Sequence, residues 1–383
     1  NSLLNHAARS LPATMLGWHY RSRSESLISF SNAAFYQGRL LTVPDVAVPA
    51  HADEIVVKTP GDGSTGVDRL LERPLSFHFC ETGVYDQRRN ATEADYIAQM
   101  VRGLLARQSG LSIGIVAFSE AQQGEIEHAL QHLASADDDF RGRLEAERER
   151  EEDGQFAGLI VKNLENIQGD ERDVVILSVC YGPGPNGKFL MNVGPINQNG
   201  GERRLNVAFS RAKKHMAVVS SIRHHAITND YNDGARALKT YLRYAEACSA
   251  GDTRSARRVL WEINAAETAA AAAAPADVVV AQVAAKLRDR GYEVETDIGQ
   301  SDFRCDLAVR VPGERRYRLG ILIDTESYYR NANLMERDVL RPRLLRAFGW
   351  AVVRLLTKNW FEDADAVLES LDQRIRASAT LPR

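Results

Sequence analysis

The sequence predicts an α/β protein in which a parallel sheet flanked by helices is followed by a smaller α/β region with a mixed sheet. Residues 173–179 (DVVILSV) form an apolar run typical of a strand buried on both faces. Upstream, residues 90–106 have helical periodicity and an N-cap signal at Thr92, and they lead into a strand at 112–118 and a helix at 119–134. A strand–helix–strand order favours parallel pairing. Beyond residue 278, one helix, three short strands, a second helix and a last strand indicate the separate mixed sheet.

Composition bounds the class of protein. The 383-residue chain is long enough for two domains, and 44% hydrophobic with 26% charged residues is typical of globular proteins. The formal net charge of −3 means that any nucleic-acid site would be a local patch. No apolar run reaches the roughly 18 residues of a membrane span. The four cysteines are scattered, which indicates neither a zinc site nor a disulfide framework and predicts a cytoplasmic protein with no membrane partner.

A change of composition marks the boundary between two domains. The run AAAAAAPAD at residues 269–277 follows a helical stretch and has the character of a spacer. It predicts a first domain over residues 1–249, a linker over 250–277 and a second domain over 278–383. Within the first domain, the charged run at 136–154 is consistent with either a solvated helix or a flexible excursion.

The stretch at residues 200–214 (GGERRLNVAFSRAKK) is the most informative for function. Its apolar positions recur at helical spacing, which predicts a helix with a basic face. That face carries Arg203, Arg204, Arg211, Lys213 and Lys214. An anionic partner and a merely solvated basic face both fit this pattern.

Four segments occur in the order of a known family. They are MLGWHYRSRSESLISFSNAAFYQGRL at residues 15–40, IGIVAFSEAQ at 113–122, QGDERDVVILS at 168–178 and RRLNVAFSRA at 203–212. The last two resemble motifs V and VI of superfamily 1 helicases, in the branch containing the nonsense-mediated-decay RNA helicase. The first resembles that branch's YR segment, and the second its strand and helix start. The resemblance implies a second RecA-like motor domain.

The resemblance also implies half of an ATP site, with Mg²⁺, that is shared with a first RecA-like domain. Arg21 matches the arginine that contacts the terminal phosphate, and Arg211 matches the arginine finger. A planar guanidinium retains its charge and grips two oxygens at once, which suits both catalytic roles. Arg204 matches the other cation flanking the cleft.

Motif V supplies the remaining positions implied for the cofactor, Gln168, Gly169 and Glu171. Glu171 corresponds to a carboxylate near the nucleotide ribose, where it would accept hydrogen bonds from hydroxyl groups. Gly169 is expected to permit a tight backbone path that a Cβ would obstruct. Gln122 and Lys213 are the positions expected near nucleic acid.

One segment fits a phosphate-binding motif but is not expected to bind phosphate. Residues 182–188 (GPGPNGK) fit the Walker A spacing GxxxxGK after a strand. The next residue is Phe189 instead of Ser or Thr, and two prolines remove backbone donors that a phosphate cradle needs. We therefore expect the phosphate cradle and its magnesium ligands to belong to a first motor domain that lies outside this chain.

The second domain carries its own resemblance. The segments at 291–309 (GYEVETDIGQSDFRCDLAV), 319–329 (LGILIDTESYY), 335–350 (MERDVLRPRLLRAFGW) and 352–361 (VVRLLTKNWF) resemble restriction-endonuclease-like domains related to very-short-patch repair nucleases. Asp306 and Asp324 match two acidic positions, which implies catalysis by a possible second Mg²⁺ bound to clustered carboxylates.

Departures from this family pattern leave two interpretations open. The carboxylate usual two residues before Asp324 is Leu322, an acidic residue of the first helix is replaced at residues 279–280, and the usual His is Tyr329. Glu326 could substitute only if the strand continues that far. The domain is therefore either an active nuclease or a degenerate domain that still grips nucleic acid or a partner.

The sequence thus predicts the carboxyl-terminal part of an ATP-dependent helicase or translocase. Its partners would be single-stranded or duplex nucleic acid, DNA in preference to RNA, and the first RecA-like domain of the same protein. On its own the chain is expected not to hydrolyse ATP. The alternatives are a metal-dependent DNA endonuclease with the motor remnant as a platform, and a non-catalytic interaction module.

Overall fold

A six-stranded sheet organises the first part of the chain. The computed structural model describes residues 17–50, 57–58, 64–189, 194–198, 200–228, 231–264, 277–330 and 333–378. The strand order is β1-β2-β8-β7-β3-β6, and every pairing is parallel. The strands are β1 (Val57–Lys58), β2 (Leu75–Phe79), β3 (Ile113–Ala117), β6 (Ile160–Asn163), β7 (Arg172–Ser178) and β8 (Ala212–Ser220), with β4 (Glu151–Glu152) and β5 (Gln155–Phe156) forming a separate hairpin.

Helices cover both faces of this sheet. Along β7, Val175 and Leu177 face one apolar cluster while Val174 and Ile176 face the other, so the strand is buried on both sides as its sequence predicts. One face packs against α1 (Ser26–Tyr36), α6 (Gly201–Phe209), α7 (Asp233–Ser249) and α8 (Thr253–Asn264). The other packs against α2 (Ser64–Glu72), α3 (Ala91–Ala106), α4 (Glu120–Ala136) and α5 (Asp138–Arg148).

Local structure differs from the sequence prediction in two places. Asn90 caps α3 instead of Thr92, because its side chain accepts from the Glu93 amide at 3.2 Å while its own backbone is extended. The basic stretch at 200–214 is not one helix: α6 ends at Phe209, and β8 begins at Ala212. The last cations therefore follow a turn and a strand instead of a helical face.

A mixed four-stranded sheet forms the second part of the chain, and this confirms the predicted fold class. The order is β12-β11-β10-β9; β10 is antiparallel to both neighbours, and β11 is parallel to β12. The elements are α9 (Val278–Asp289), β9 (Glu293–Ile298), β10 (Cys305–Arg310), β11 (Leu319–Ile323), α10 (Glu326–Arg330), a π-helix (Met335–Leu340), α11 (Arg341–Ala347), β12 (Val352–Leu355), α12 (Thr357–Glu362) and α13 (Ala364–Ala377). Within the described residues, no helix has the length and apolar character needed to cross a membrane.

A segment that we call the strap, residues 41–48, joins the two sheets. Its Val43 is buried with Phe303, Leu322 and Trp350 in an apolar cluster of the second region. Trp350 Nε1 donates to Pro44 O at 2.9 Å, and backbone hydrogen bonds of 2.8 and 2.9 Å link Val48 and Val46 to the turn at residues 315–317. The second sheet is thus built onto a segment from the start of the chain.

The described part of the predicted linker consists mainly of helix α8, Thr253–Asn264. Ala256 and Val259 of α8 are buried in the core of the first region, so this helix is part of that core. Residues 1–16 of the predicted first domain, 265–276 of the linker and 379–383 of the second domain lie outside the described residues.

Candidate active site

Two cations pair with one carboxylate at the amino-terminal edge of β7 and β8, and a third cation lies beside them. Arg21 Nε donates to Glu171, and Lys213 Nζ lies 3.1 Å from the other oxygen of that carboxylate. Arg21 Nη1 also reaches Ser210 O at 3.4 Å, while Arg211 Nη2 donates to Ser210 Oγ at 3.2 Å. We call Arg21, Glu171, Arg211 and Lys213 the basic cleft cluster. It carries net positive charge and suits an anionic ligand.

The segment that carries Arg21 is fastened to the start of β8. Residues 17–25, here called the Arg21 loop, precede α1. Ser22 Oγ donates to Ala212 O at 3.0 Å, and the Arg23 amide donates to Lys213 O at 2.7 Å. These bonds explain how a residue near the start of the chain comes to lie beside motifs V and VI.

Arg211 is held by backbone carbonyls on both sides of the turn. Its Nε donates to Val207 O at 2.7 Å and its Nη1 to Asp170 O at 3.4 Å. Burial and the charge of Arg21 lower the pKa of Arg211. A half-buried guanidinium that is held by neutral acceptors keeps its charge available for a ligand.

The charges of the basic cleft cluster shift the pKa of its carboxylate, Glu171, and of a neighbour, His19. Burial disfavours the charged form of Glu171, but hydrogen bonds from Lys213 and Arg21 outweigh it and lower the pKa of this carboxyl. Burial, together with Arg21 and Arg211, lowers the pKa of His19 to about 4. The Ser22 amide donates to His19 Nε2 at 3.2 Å, and Ser22 Oγ lies 3.0 Å from the same nitrogen.

His19 was missed by sequence reasoning. Its only signal is its place in the HYR triplet before Arg21, because a lone His has no pattern of its own.

The other predicted cofactor positions lie in the loop before β7 and on α6. Gln168 and Gly169 are exposed in this loop. Gly169 has φ of +95°, and an added Cβ would meet no atom within 4 Å. The left-handed backbone therefore disfavours a Cβ here, as expected, although no neighbouring atom would crowd it. Arg204 lies 3.9 Å from Glu165, at the start of the same loop.

The two residues expected near nucleic acid are at opposite edges of the sheet. Lys213 belongs to the basic cleft cluster. Gln122 is fully buried at the carboxyl-terminal edge, where its Oε1 accepts from the Asn90 amide at 2.6 Å and its Nε2 donates to Ser178 Oγ at 3.0 Å. A fully buried amide cannot touch a nucleic acid directly, and the hydrogen bonds of Gln122 instead hold the backbone of Asn90, next to the exposed turn at Arg88.

The GPGPNGK loop uses its backbone donors internally. The Gly184 amide donates to Lys188 O, the Gly187 amide to Gly184 O and the Lys188 amide to Asn186 Oδ1, at 2.8 to 3.0 Å. These three donors point into the loop, so this loop does not form a phosphate cradle.

Carboxylates of the second region do not form a metal cluster among the described residues, where no group of three or more His, Cys, Asp or Glu side chains could hold an ion. Asp306 accepts from the Ile323 amide at 2.8 Å, and burial raises the pKa of its carboxyl to about 6. Asp324 accepts from the Thr357 amide at 2.5 Å.

The possible substitute, Glu326, does not complete this site. Strand β11 ends at Ile323, and Glu326 begins α10, so the strand alternation needed to bring it beside Asp324 is absent. Leu322 is fully buried in the apolar cluster under the strap. The donor set therefore does not fit Mg²⁺, which requires several oxygen ligands.

Comparison with known proteins gives two family matches. The AAA domain model AAA_12 matches residues 1–223, and the model REase_MTES_1575 matches residues 280–375. The uncharacterized ATP-dependent helicase MG140 of Mycoplasma genitalium is 33% identical over 247 residues, and its homolog in Mycoplasma pneumoniae is 32% identical over 247 residues. Each alignment covers 62% of this chain and 19% of the relative, so the chain spans about a fifth of their length.

A solved structure is also similar. It is the carboxyl-terminal domain of a possible DNA helicase from Lactobacillus plantarum WCFS1, with 16% identity and a TM-score of 0.26. The match covers 53% of this chain and 87% of that domain.

Proposed function

Because this chain belongs to the AAA_12 family of AAA domains, we propose that it supplies the arginine-bearing half of an ATP site in an ATP-dependent nucleic-acid helicase or translocase. The motif resemblance to helicases agrees with the AAA_12 match and with the two relatives named as ATP-dependent helicases. The resemblance of the second region agrees with the match at residues 280–375. The observation that carries the proposal is the grouping of Arg21 and Arg211 around Ser210, with Arg21 and Lys213 both paired to Glu171.

The cluster suits the chemistry of phosphoryl transfer. ATP with Mg²⁺ would supply the transferable phosphoryl group, and a first RecA-like domain would supply the phosphate cradle and the metal ligands. Arg21 and Arg211 would face the terminal phosphate and stabilise negative charge that develops there. Glu171 holds Arg21 and Lys213 in place without cancelling the positive charge, and neutral His19 lies beside them without adding charge repulsion.

The nucleic-acid track would pass the opposite, carboxyl-terminal edge of the sheet. Gln87 and Arg88 have φ of +48° and +66°, and both are exposed in a tight turn closed by Asp86 and Arg89. Left-handed backbone is unfavourable for such residues and often marks a functional site. Buried Gln122 and Asn90 hold this turn. We favour DNA because the second region matches a model of restriction-endonuclease type.

The second region would act as a non-catalytic module that binds nucleic acid or braces the motor. This follows from the buried Leu322 and from the absence of a three-ligand group among the described residues. The nuclease alternative needs a metal site that these side chains do not form.

The test is the kcat for ATP of a protein that contains this chain and a first motor domain, with single-stranded DNA present. Arg211→Ala should lower kcat on the order of 10³-fold or more, with a much smaller change in KM, because the arginine acts mainly on charge that develops during transfer. Arg203→Ala is the matched control, since Arg203 lies on α6 with its side chain 79% exposed. Equal kcat values for Arg211→Ala and Arg203→Ala would refute the proposal.

A further inference from the structure

A pocket of about 230 Å³ lies where the two regions meet, away from the basic cleft cluster. Its walls come from the Arg21 loop, the strap, the start of β2, and the turn before β11. Each of three different segments contributes an arginine: Arg23 from the Arg21 loop, Arg73 from the residue after α2, and Arg315 from the turn. We call this the junction pocket.

Arg73 is a buried cation without an adequate partner. Its side chain is 3% exposed, and among the described residues its Nε has no hydrogen-bond partner. Within the same residues its paired carboxylate is Glu72, which is itself half exposed and lies 3.8 Å from Nη2. Burial and the charges of Arg69 and Arg315 lower the pKa of Arg73. A charged group costs free energy to bury unless an opposite charge accompanies it.

The other two arginines lack a carboxylate partner in the described part of the chain. Arg23 lies over the Phe348 ring at 5.2 Å from its centroid, and Arg315 Nε donates to Val48 O at 3.2 Å. In the described part of the chain, neither forms an ion pair within 4.0 Å. Both are exposed, so they stand at the mouth of the pocket while Arg73 lies deeper.

Among the described lining residues one is acidic, Asp45, and its carboxylate is already engaged. Asp45 Oδ2 accepts from Ser24 Oγ at 3.0 Å, and Oδ1 accepts from the Glu25 amide at 2.8 Å. It caps the start of α1 instead of pairing with an arginine. Positive charge therefore remains in excess in the pocket.

We propose that the junction pocket binds a phosphate-class oxyanion with a free end, such as inorganic phosphate, pyrophosphate or a terminal phosphate group. Guanidinium groups match the tetrahedral oxygens of phosphate through paired hydrogen bonds. A terminal group can reach Arg73, whereas an internal phosphodiester carries a sugar on each side and cannot enter so far. Because Arg23 lies in the Arg21 loop, a bound anion would also fix that loop.

The experiment is a titration of this chain with pyrophosphate at constant ionic strength, in which the Tm of thermal unfolding is measured at each concentration. The Tm of the wild type should rise with pyrophosphate more than it rises with chloride at the same ionic strength. Arg315→Gln should weaken the Kd for pyrophosphate roughly tenfold or more, because it removes one charged donor. Arg318→Gln is the matched control: Arg318 lies in the same turn region and is paired with Glu314. No rise in wild type, or an unchanged Kd in Arg315→Gln, would overturn the proposal.

The basic cleft cluster also attracts anions, so the titration is repeated with Arg21→Ala combined with Arg211→Ala. Pyrophosphate binding that persists in this variant and is lost on adding Arg315→Gln belongs to the junction pocket; complete loss in the double variant overturns the proposal. Oligonucleotides then identify the source. Two oligonucleotides, one with a 5′-phosphate and one with a 5′-hydroxyl group, are tested for competition with pyrophosphate. Competition by the 5′-phosphorylated strand alone indicates that the ligand is a nucleic-acid end. Competition by neither strand indicates that it is free phosphate. Equal competition by a 5′-hydroxyl strand would contradict the requirement for a free end.

Discussion

At the scale of single residues, two buried carboxyl groups connect the segments that meet at the junction, and their pKa values are raised. Glu25 Oε1 accepts from the Gln300 amide at 2.8 Å and from Thr42 Oγ1, so one side chain joins the Arg21 loop, the strap and the second region. Burial, and next the charge of Asp45, raises the pKa of Glu25 to about 7. Burial raises the pKa of Asp45 to about 6.

These shifts predict a pH dependence with a definite sign. A carboxyl whose pKa is higher in the folded state binds its proton more tightly there, so its contribution to stability is full below the unfolded value of 4.5 and is lost as pH rises to about 7. Glu25→Gln keeps an acceptor oxygen and removes the titration. Relative to wild type, this variant should gain on the order of 2–3 kcal/mol in unfolding free energy between pH 4.5 and pH 8.

Denaturant unfolding at several pH values measures this difference. Asp45 remains in the variant, so a weaker slope near pH 6 should persist. Exposed Glu326→Gln serves as the control and should follow wild type. A Glu25→Gln curve parallel to wild type across this range would show that Glu25 does not titrate as inferred.

At the scale of elements, the Arg21 loop is held from two sides. The motor side contributes the bonds to Ala212 and Lys213, and the second region contributes Phe303, whose ring meets Trp18 edge-on at 4.9 Å. Trp18 also bridges to Leu41 of the strap. We therefore expect the position of Arg21 to depend on packing from the second region.

A double-mutant cycle tests this dependence. Phe303→Leu keeps an apolar side chain but removes the edge-on ring contact, and it should lower the kcat for ATP several-fold through misplacement of Arg21. In an Arg21→Ala background, the same change should have almost no further effect, since residues that act together are not additive. Tyr317→Leu is the matched control, because Tyr317 stacks on Trp350 in the same cluster. An equal effect of Phe303→Leu in both backgrounds would show that it acts only through general stability.

At the scale of the whole molecule, patterns local in sequence were predictable and long-range contacts were not. The apolar run at β7 and the strand–helix order were sufficient for the parallel sheet, and the motif resemblance singled out Arg21, Glu171 and Arg211, which the structure brings together. The strap has no signal in the sequence, because its bonds join residues such as Thr42 and Ser301 that are 259 positions apart. Helical spacing at 200–214 was misleading, since a turn and a strand start can produce the same spacing over a few residues.

Burial explains the remaining differences. The resemblance places Gln122 near nucleic acid, but its side chain is buried. From there it holds the backbone of Asn90, next to an exposed turn. Leu322 signalled a lost carboxylate in the sequence, and the structure adds the reason that it is retained: it packs with Val43 of the strap. One face of the second sheet thus holds the two regions together.

Nucleotide-dependent hydrogen exchange tests the proposed ATP site most directly, in a protein that contains this chain and a first motor domain. A non-hydrolysable ATP analogue should slow exchange of the amides in residues 19–23 and 168–171, because the ligand would bridge Arg21 and Arg211. Helix α5, which lies on the other face of the sheet, should be unchanged. Saturating nucleotide without protection in either segment would contradict the assignment of this edge of the sheet as half of an ATP site.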